Sequence, residues 1–158
     1  MVALALLAAI ATTARADEPK NWFDDPFFQV RDAVRDCPVP RGPLTTENEM
    51  RLSAHARAER GTRCWQEGKC AKPNAYLYDA AIADEVRRRF SSGSELQASS
   101  LWVTVQRRIV FVEGCAAAAD AARRVEALLR GTEDMELVVA NIARRPTDSS
   151  PYQTLKPR

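Results

Sequence analysis

The sequence predicts an α+β fold, with two helices packed on one face of a small mixed sheet behind a cysteine- and proline-rich cap that carries one more helix. Three observations lead there. From Asp79 onward the hydrophobic period runs helix, strand, strand, helix, strand. Cysteines and prolines gather ahead of residue 75. The 158 residues suit one domain, or one domain with a small appendage.

The chain starts with an unbroken apolar run from Val2 to Ala11, followed by Ala14-Arg15-Ala16. The run is about half the ~20 residues needed to cross a bilayer. A short apolar stretch ahead of a small-x-small pattern is the mark of a secretory leader, so residues 1–16 are expected to be a cleaved signal peptide. The mature chain is expected outside the reducing cytosol, and no transmembrane helix is expected. The formal net charge is +2, too small to gather polyanions over a distance. Export and the lack of aromatics interleaved with basic residues speak against nucleic acid as a partner.

Residues 17–75 are expected to form a disulfide-bonded segment. Prolines at 38, 40 and 43 forbid a regular helix or central strand there. Residues 25–36 read as a short helical turn at most. Thr46-x-x-Glu49 is a capping-box signature and opens a helix over about 47–60, stopped by Gly61. Its apolar content is modest, so it reads as a covering helix with a solvated His55.

Cys37, Cys64, Cys70 and Cys115 are an even set in an exported chain, which favours two disulfides over free thiols. Three connectivities are open. The turn-rich stretch between Cys64 and Cys70 makes a small closed loop easy, which leaves Cys37 for Cys115. Structural zinc prefers closer cysteine pairs and accompanying histidines, and His55 is the sole imidazole. No metal or cofactor is expected.

Ile82, Val86 and Phe90 fall on one helical face, with Arg87, Arg88 and Arg89 mainly on the other. Leu101, Val103 and Val105 alternate with Trp102, Thr104 and Gln106, the signature of a half-buried strand. Arg107-Arg108 is the hairpin turn, Ile109 to Val112 the second strand, and Gly114 its structural stop. A second helix runs from Ala116 to Arg130, and Met135 to Ile142 is the third strand, parallel to the second by the crossover rule. Residues 146–158 carry no core-forming pattern and read as a disordered tail.

These residues carry a family resemblance. The runs Asp79-x-x-Ile82-Ala83-x-x-Val86-x-x-x-Phe90, Leu101-x-Val103-x-Val105, Val110-x-Val112-x-Gly114 and Met135-x-Leu137-Val138-Val139-Ala140-Asn141 resemble the BON domain of bacterial envelope proteins, over about residues 79–143 within a domain spanning 76–145. The departure is at the hairpin, where Arg107-Arg108 stands in place of the family's usual Asx-Gly. The resemblance implies a non-enzymatic periplasmic module that binds phospholipid or another envelope component and supports envelope integrity. The candidate contacts for lipid or another anion are Arg87, Arg88, Arg107, Arg108 and Trp102. Arg123-Arg124 is a further basic pair. The alternative is a structural or protein-interaction module that uses the cysteine-rich segment. An enzyme is disfavoured by the single histidine and by the lack of a G-x-S-x-G elbow, a P-loop, a G-x-G-x-x-G or an H-E-x-x-H motif.

Overall fold

The computed structural model describes residues 18–94 and 96–155. The expected leader at 1–16 lies outside them. One four-stranded sheet forms the centre: β1 (Phe27–Asp32), β2 (Ser99–Gln106), β3 (Ile109–Ala116) and β4 (Leu137–Ala143), side by side in that order. β1–β2 and β2–β3 are antiparallel, and β3–β4 is parallel as the crossover rule requires. The helices are α1 (Glu47–Glu59), α2 (Thr62–Gln66), α3 (Asp79–Ser92) and α4 (Ala121–Leu129), with a 3₁₀ turn over Ala75–Tyr78.

The period-2 pattern of β2 and β3 sorts their side chains. Leu101, Val103, Val105, Val110 and Val112 are fully buried beneath α3 and α4, against Ile82, Val86, Phe90, Val125 and Leu129. Val138, Ala140 and Ile142 of β4 extend this core toward one sheet edge, and Phe28 and Val30 of β1 toward the other.

The first correction concerns residues 25–36. They hold a strand, not a helical turn. Pairing with β2 packs Phe28 and Val30 against the core and leaves Gln29 exposed, and past the bulge Arg31 comes opposite Leu101 with its guanidinium over the Phe90 ring. The sheet therefore has four strands instead of three, and the cysteine-rich segment is part of it.

Gly114 does not end β3. It lies inside the strand, opposite Leu101, and the strand runs on to Ala116. Its φ of +147° is open to glycine, and a Cβ there would stand 2.0 Å from the Ser100 carbonyl oxygen. The glycine permits a close backbone approach. α4 accordingly starts five residues later than expected, at Ala121, and Ala118 is exposed.

The tail is also corrected. Residues 152–155 pack on the cap. Pro40 and Thr154 form a β-bridge, Leu155 N–H donates to Val39 O at 2.9 Å, and the Tyr152 hydroxyl donates to Pro38 O at 2.8 Å. Tyr152 is buried, and that one aromatic ring gives a polar stretch its hold.

α1 carries the expected capping box. The Glu49 N–H donates to Thr46 Oγ1 at 3.3 Å, and the Thr46 N–H to Glu49 Oε2 at 2.8 Å. It has no buried residue, as a covering helix should, and His55 is exposed beside Glu59.

Candidate functional site

The helix-free face of the sheet has two halves. At one end Cys37–Cys115 bridges the cap to β3, and Trp102, Val34 and Ala143 pack around the disulfide. Ser100 Oγ stitches the same region, accepting from Val34 N–H at 2.8 Å and donating to Val34 O at 3.1 Å. The other half stays open. There Thr104, Gln106, Phe111 and Glu113 floor a cleft of about 200 Å³, walled by Arg41, Gly42 and Gln153 from the cap and the tail. Beyond Phe111 and Glu113 the floor continues onto β4 through their register partners Val139 and Asn141. Leu137, next along, is half exposed.

The cleft is built by long-range contacts. The Arg41 N–H donates to Gln153 O at 2.7 Å, fixing one wall. Arg41 also pairs with Glu49 of α1, whose carboxyl this partner and the Thr46 bonds hold down at about 2. On the floor, burial pushes the Glu113 carboxyl above its usual range, and its bond with Asn141 opposes that only in part. At the cleft's end Gln106 Nε2 donates to the buried Asp25 at 2.6 Å. Asp25 also pairs with Arg57, whose guanidinium lies between the rings of Phe23 and Tyr76. This knot ties α1, the aromatic N-terminal stretch and β2 together.

The structure does not unite the five residues expected to contact lipid. Trp102 is on the helix-free face beside the disulfide, whereas Arg87 and Arg88 are on α3, across the sheet. Arg87 pairs with Asp84 at 2.9 Å and stacks on Phe28, and Arg88 pairs with Glu85. The Arg108 guanidinium donates to Glu136 at 2.9 Å and to Asp134 O at 2.6 Å, and lies over Tyr78. Only the Arg107 side chain is left with no partner of its own among these residues. In the further basic pair, Arg123 faces Asp120 at 3.6 Å.

The hairpin turn has an anchor that sequence reasoning missed. Arg107 and Arg108 both take positive φ, +58° and +66°, as a two-residue primed turn requires. Asp79, buried at the start of α3, accepts both of their backbone N–H groups. Burial raises its carboxyl above the usual range against those two bonds. The helix N-terminus and the turn are 28 residues apart, and no local pattern links them.

The second disulfide, Cys64–Cys70, closes the small loop after α2. With Lys72, Tyr78 and Arg108 it lines a pocket of about 240 Å³. Two of its cations are engaged, since Lys72 Nζ donates to Leu77 O and Arg108 to Glu136. No group of three metal-ligating side chains occurs among the described residues, and no described helix is long and apolar enough to cross a membrane.

The order helix–strand–strand–helix–strand, with the last two strands parallel, is matched from outside the chain. Residues 78–146 match the family model of the BON domain. Over that stretch the chain is similar to the BON domain. The match covers under half of the chain, and no curated protein or solved structure matches it. BON domains are associated with the bacterial envelope and are in general not enzymes, and two disulfides suit an oxidising compartment. β1 joins the sheet from outside the matched residues, and the cap and tail bridge to each other beside it.

Proposed function

We propose that this chain is a non-catalytic periplasmic module, exported by its N-terminal leader, that supports envelope integrity by holding another envelope protein in the cleft between its disulfide-linked cap and its BON-domain sheet. The observation that carries the reading is the open half of the helix-free face. Apolar Phe111, Val139 and Leu137 run beside polar Glu113, Asn141 and Arg41. A shallow surface that mixes apolar floor with polar rim suits a protein segment better than a lipid chain, which needs depth.

Phospholipid is the second reading. It rests on Arg87, Arg88 and Arg123, which point outward from α3 and α4. Each has a carboxylate partner three residues earlier in the chain, so little uncompensated charge is left for an anionic surface.

A photo-crosslinking side chain at Phe111 of the exported chain, compared with one at Glu126 on the helix side, tests the choice. Adducts to a distinct envelope protein from position 111 alone are expected. Vesicles of phosphatidylglycerol and cardiolipin are expected not to float the protein at low salt. Flotation that vanishes in the double variant Arg87→Glu, Arg88→Glu would overturn the protein reading in favour of lipid.

A further inference from the structure

The two edges of the sheet differ in kind. β1 is guarded. It carries Arg31 and Asp32, its register shifts at a bulge between Gln29 and Arg31, and the Arg31 guanidinium folds over to the carbonyls of Phe90 and Gly93. Bulges and edge charges are the usual devices against strand addition. β4 has neither. Its seven residues, LVVANIA, include no charge and no proline, and its register with β3 is unbroken. Among the described residues its outer edge takes part in no further backbone pairing. An uncharged, unpaired edge of this length is a template for another strand.

We infer that β4 pairs antiparallel with β4 of a second copy of this chain, about a twofold axis at Ala140, joining two sheets into one of eight strands. Self-complementarity is the argument, because a twofold interface must match its own surface. In this register all seven strand residues are paired. Leu137 faces Ala143, Val138 faces Ile142 and Val139 faces Asn141 of the other copy. The flanking residues then fall into place, with Glu136 of each copy opposite Arg144 of the other. Two cross-strand ion pairs close the two ends of the ladder.

Neighbouring registers lose this match. A slip of two residues one way sets Leu137 and Val138 against Arg145 and Arg144. The opposite slip sets Glu136 against Ile142. A slip of one turns core-facing Val138, Ala140 and Ile142 against residues of the other face. Both charged groups are available. Glu136 is half exposed though it accepts from Arg108, and Arg144 spends one donor on Ala117 O.

Sedimentation equilibrium of the mature, oxidised chain tests the inference, with circular dichroism to confirm folding of each variant. The wild type is expected to dimerise with concentration. Glu136→Arg sets arginine against arginine at both ends and is expected to weaken the dimer at least about tenfold. Val139→Lys, which puts a charge on the edge without touching either ion pair, is expected to weaken it similarly. The double variant Glu136→Arg, Arg144→Glu restores opposite charges and is expected to recover the dimer. A monomer throughout the accessible concentration range overturns the inference. So does a dimer indifferent to both single variants, or a double variant that stays monomeric.

Discussion

The carboxylate of Asp79 accepts the main-chain N–H of Arg108 at 2.8 Å, and its second oxygen accepts that of Arg107 at 2.9 Å. A single buried side chain at the head of α3 thus satisfies two donors of a hairpin turn built from left-handed arginines. Such backbone geometry costs roughly 1 kcal/mol or more per non-glycine residue, so something must over-determine it. Asp79→Asn keeps the volume but offers one acceptor and turns an N–H₂ toward a backbone N–H. It is expected to lower unfolding free energy by about 1–3 kcal/mol in urea titration, with the slope unchanged. An unchanged midpoint would mean that the turn holds itself.

Gly114→Ala is expected to be among the most damaging single changes in the chain. The added Cβ would meet a backbone oxygen at 2.0 Å, and relief requires β2 and β3 to part at the point where Cys115 must still reach Cys37. A loss above about 4 kcal/mol is expected, visible as a collapsed thermal midpoint or as failure to form Cys37–Cys115 on non-reducing peptide mapping. Gly68→Ala is the control. Its φ of +70° lies in the left-handed well and no atom lies within 4 Å of the added carbon, so only the backbone strain, about 1 kcal/mol, is expected.

The two disulfides are expected to contribute unequally. Cys37–Cys115 spans 78 residues and Cys64–Cys70 spans 6. In the chain-entropy model these closures are worth about 4.5 and about 2 kcal/mol. The pair Cys37→Ala, Cys115→Ala is therefore expected to cost about twice as much as Cys64→Ala, Cys70→Ala by urea unfolding. It also opens the cluster of Val34, Trp102 and Ala143, which adds to the loss. Equal losses would show that the short loop does more than close itself.

What could be read from the sequence follows from where each residue's partners lie. α3, β2 and β3 were legible because Ile82, Val86, Phe90, Leu101, Val103 and Val105 all face one core, so each element repeats its own period. β1 was not, because adjacent Phe27 and Phe28 blur the alternation and Pro26 reads as a turn. The tail hid because its packing rests on one ring, Tyr152, docked on residues more than a hundred positions earlier. The arginine runs were plain as charge. Their partners Asp84 and Glu85 stand three or four residues away on the same helix, and weighing these would have shown that the charge was already matched. The cleft was beyond sequence reasoning, since Arg41, Phe111 and Gln153 meet only once the cap, sheet and tail have assembled.

The pH dependence of stability should carry the mark of the cleft floor. Burial raises Glu113 above 4.5 and Asp79 above 3.8. A carboxyl with a raised native pKa binds its proton more tightly folded than unfolded. Its contribution is complete below the unfolded value and is lost as pH climbs through the native one. Glu49 has the opposite sign: held at about 2 by Arg41 and Thr46, it adds stability above 4.5 that is lost as pH falls toward 2. Glu113→Gln keeps an acceptor for Asn141 and removes the titration. Relative to wild type, the variant is expected to gain stability as pH rises above 4.5 and through the raised native value, and to show no gain below 4.5. Urea midpoints at a series of pH values measure the difference. A constant offset between the two proteins would mean that Glu113 titrates alike in both states and that the cleft floor is wetter than its burial implies.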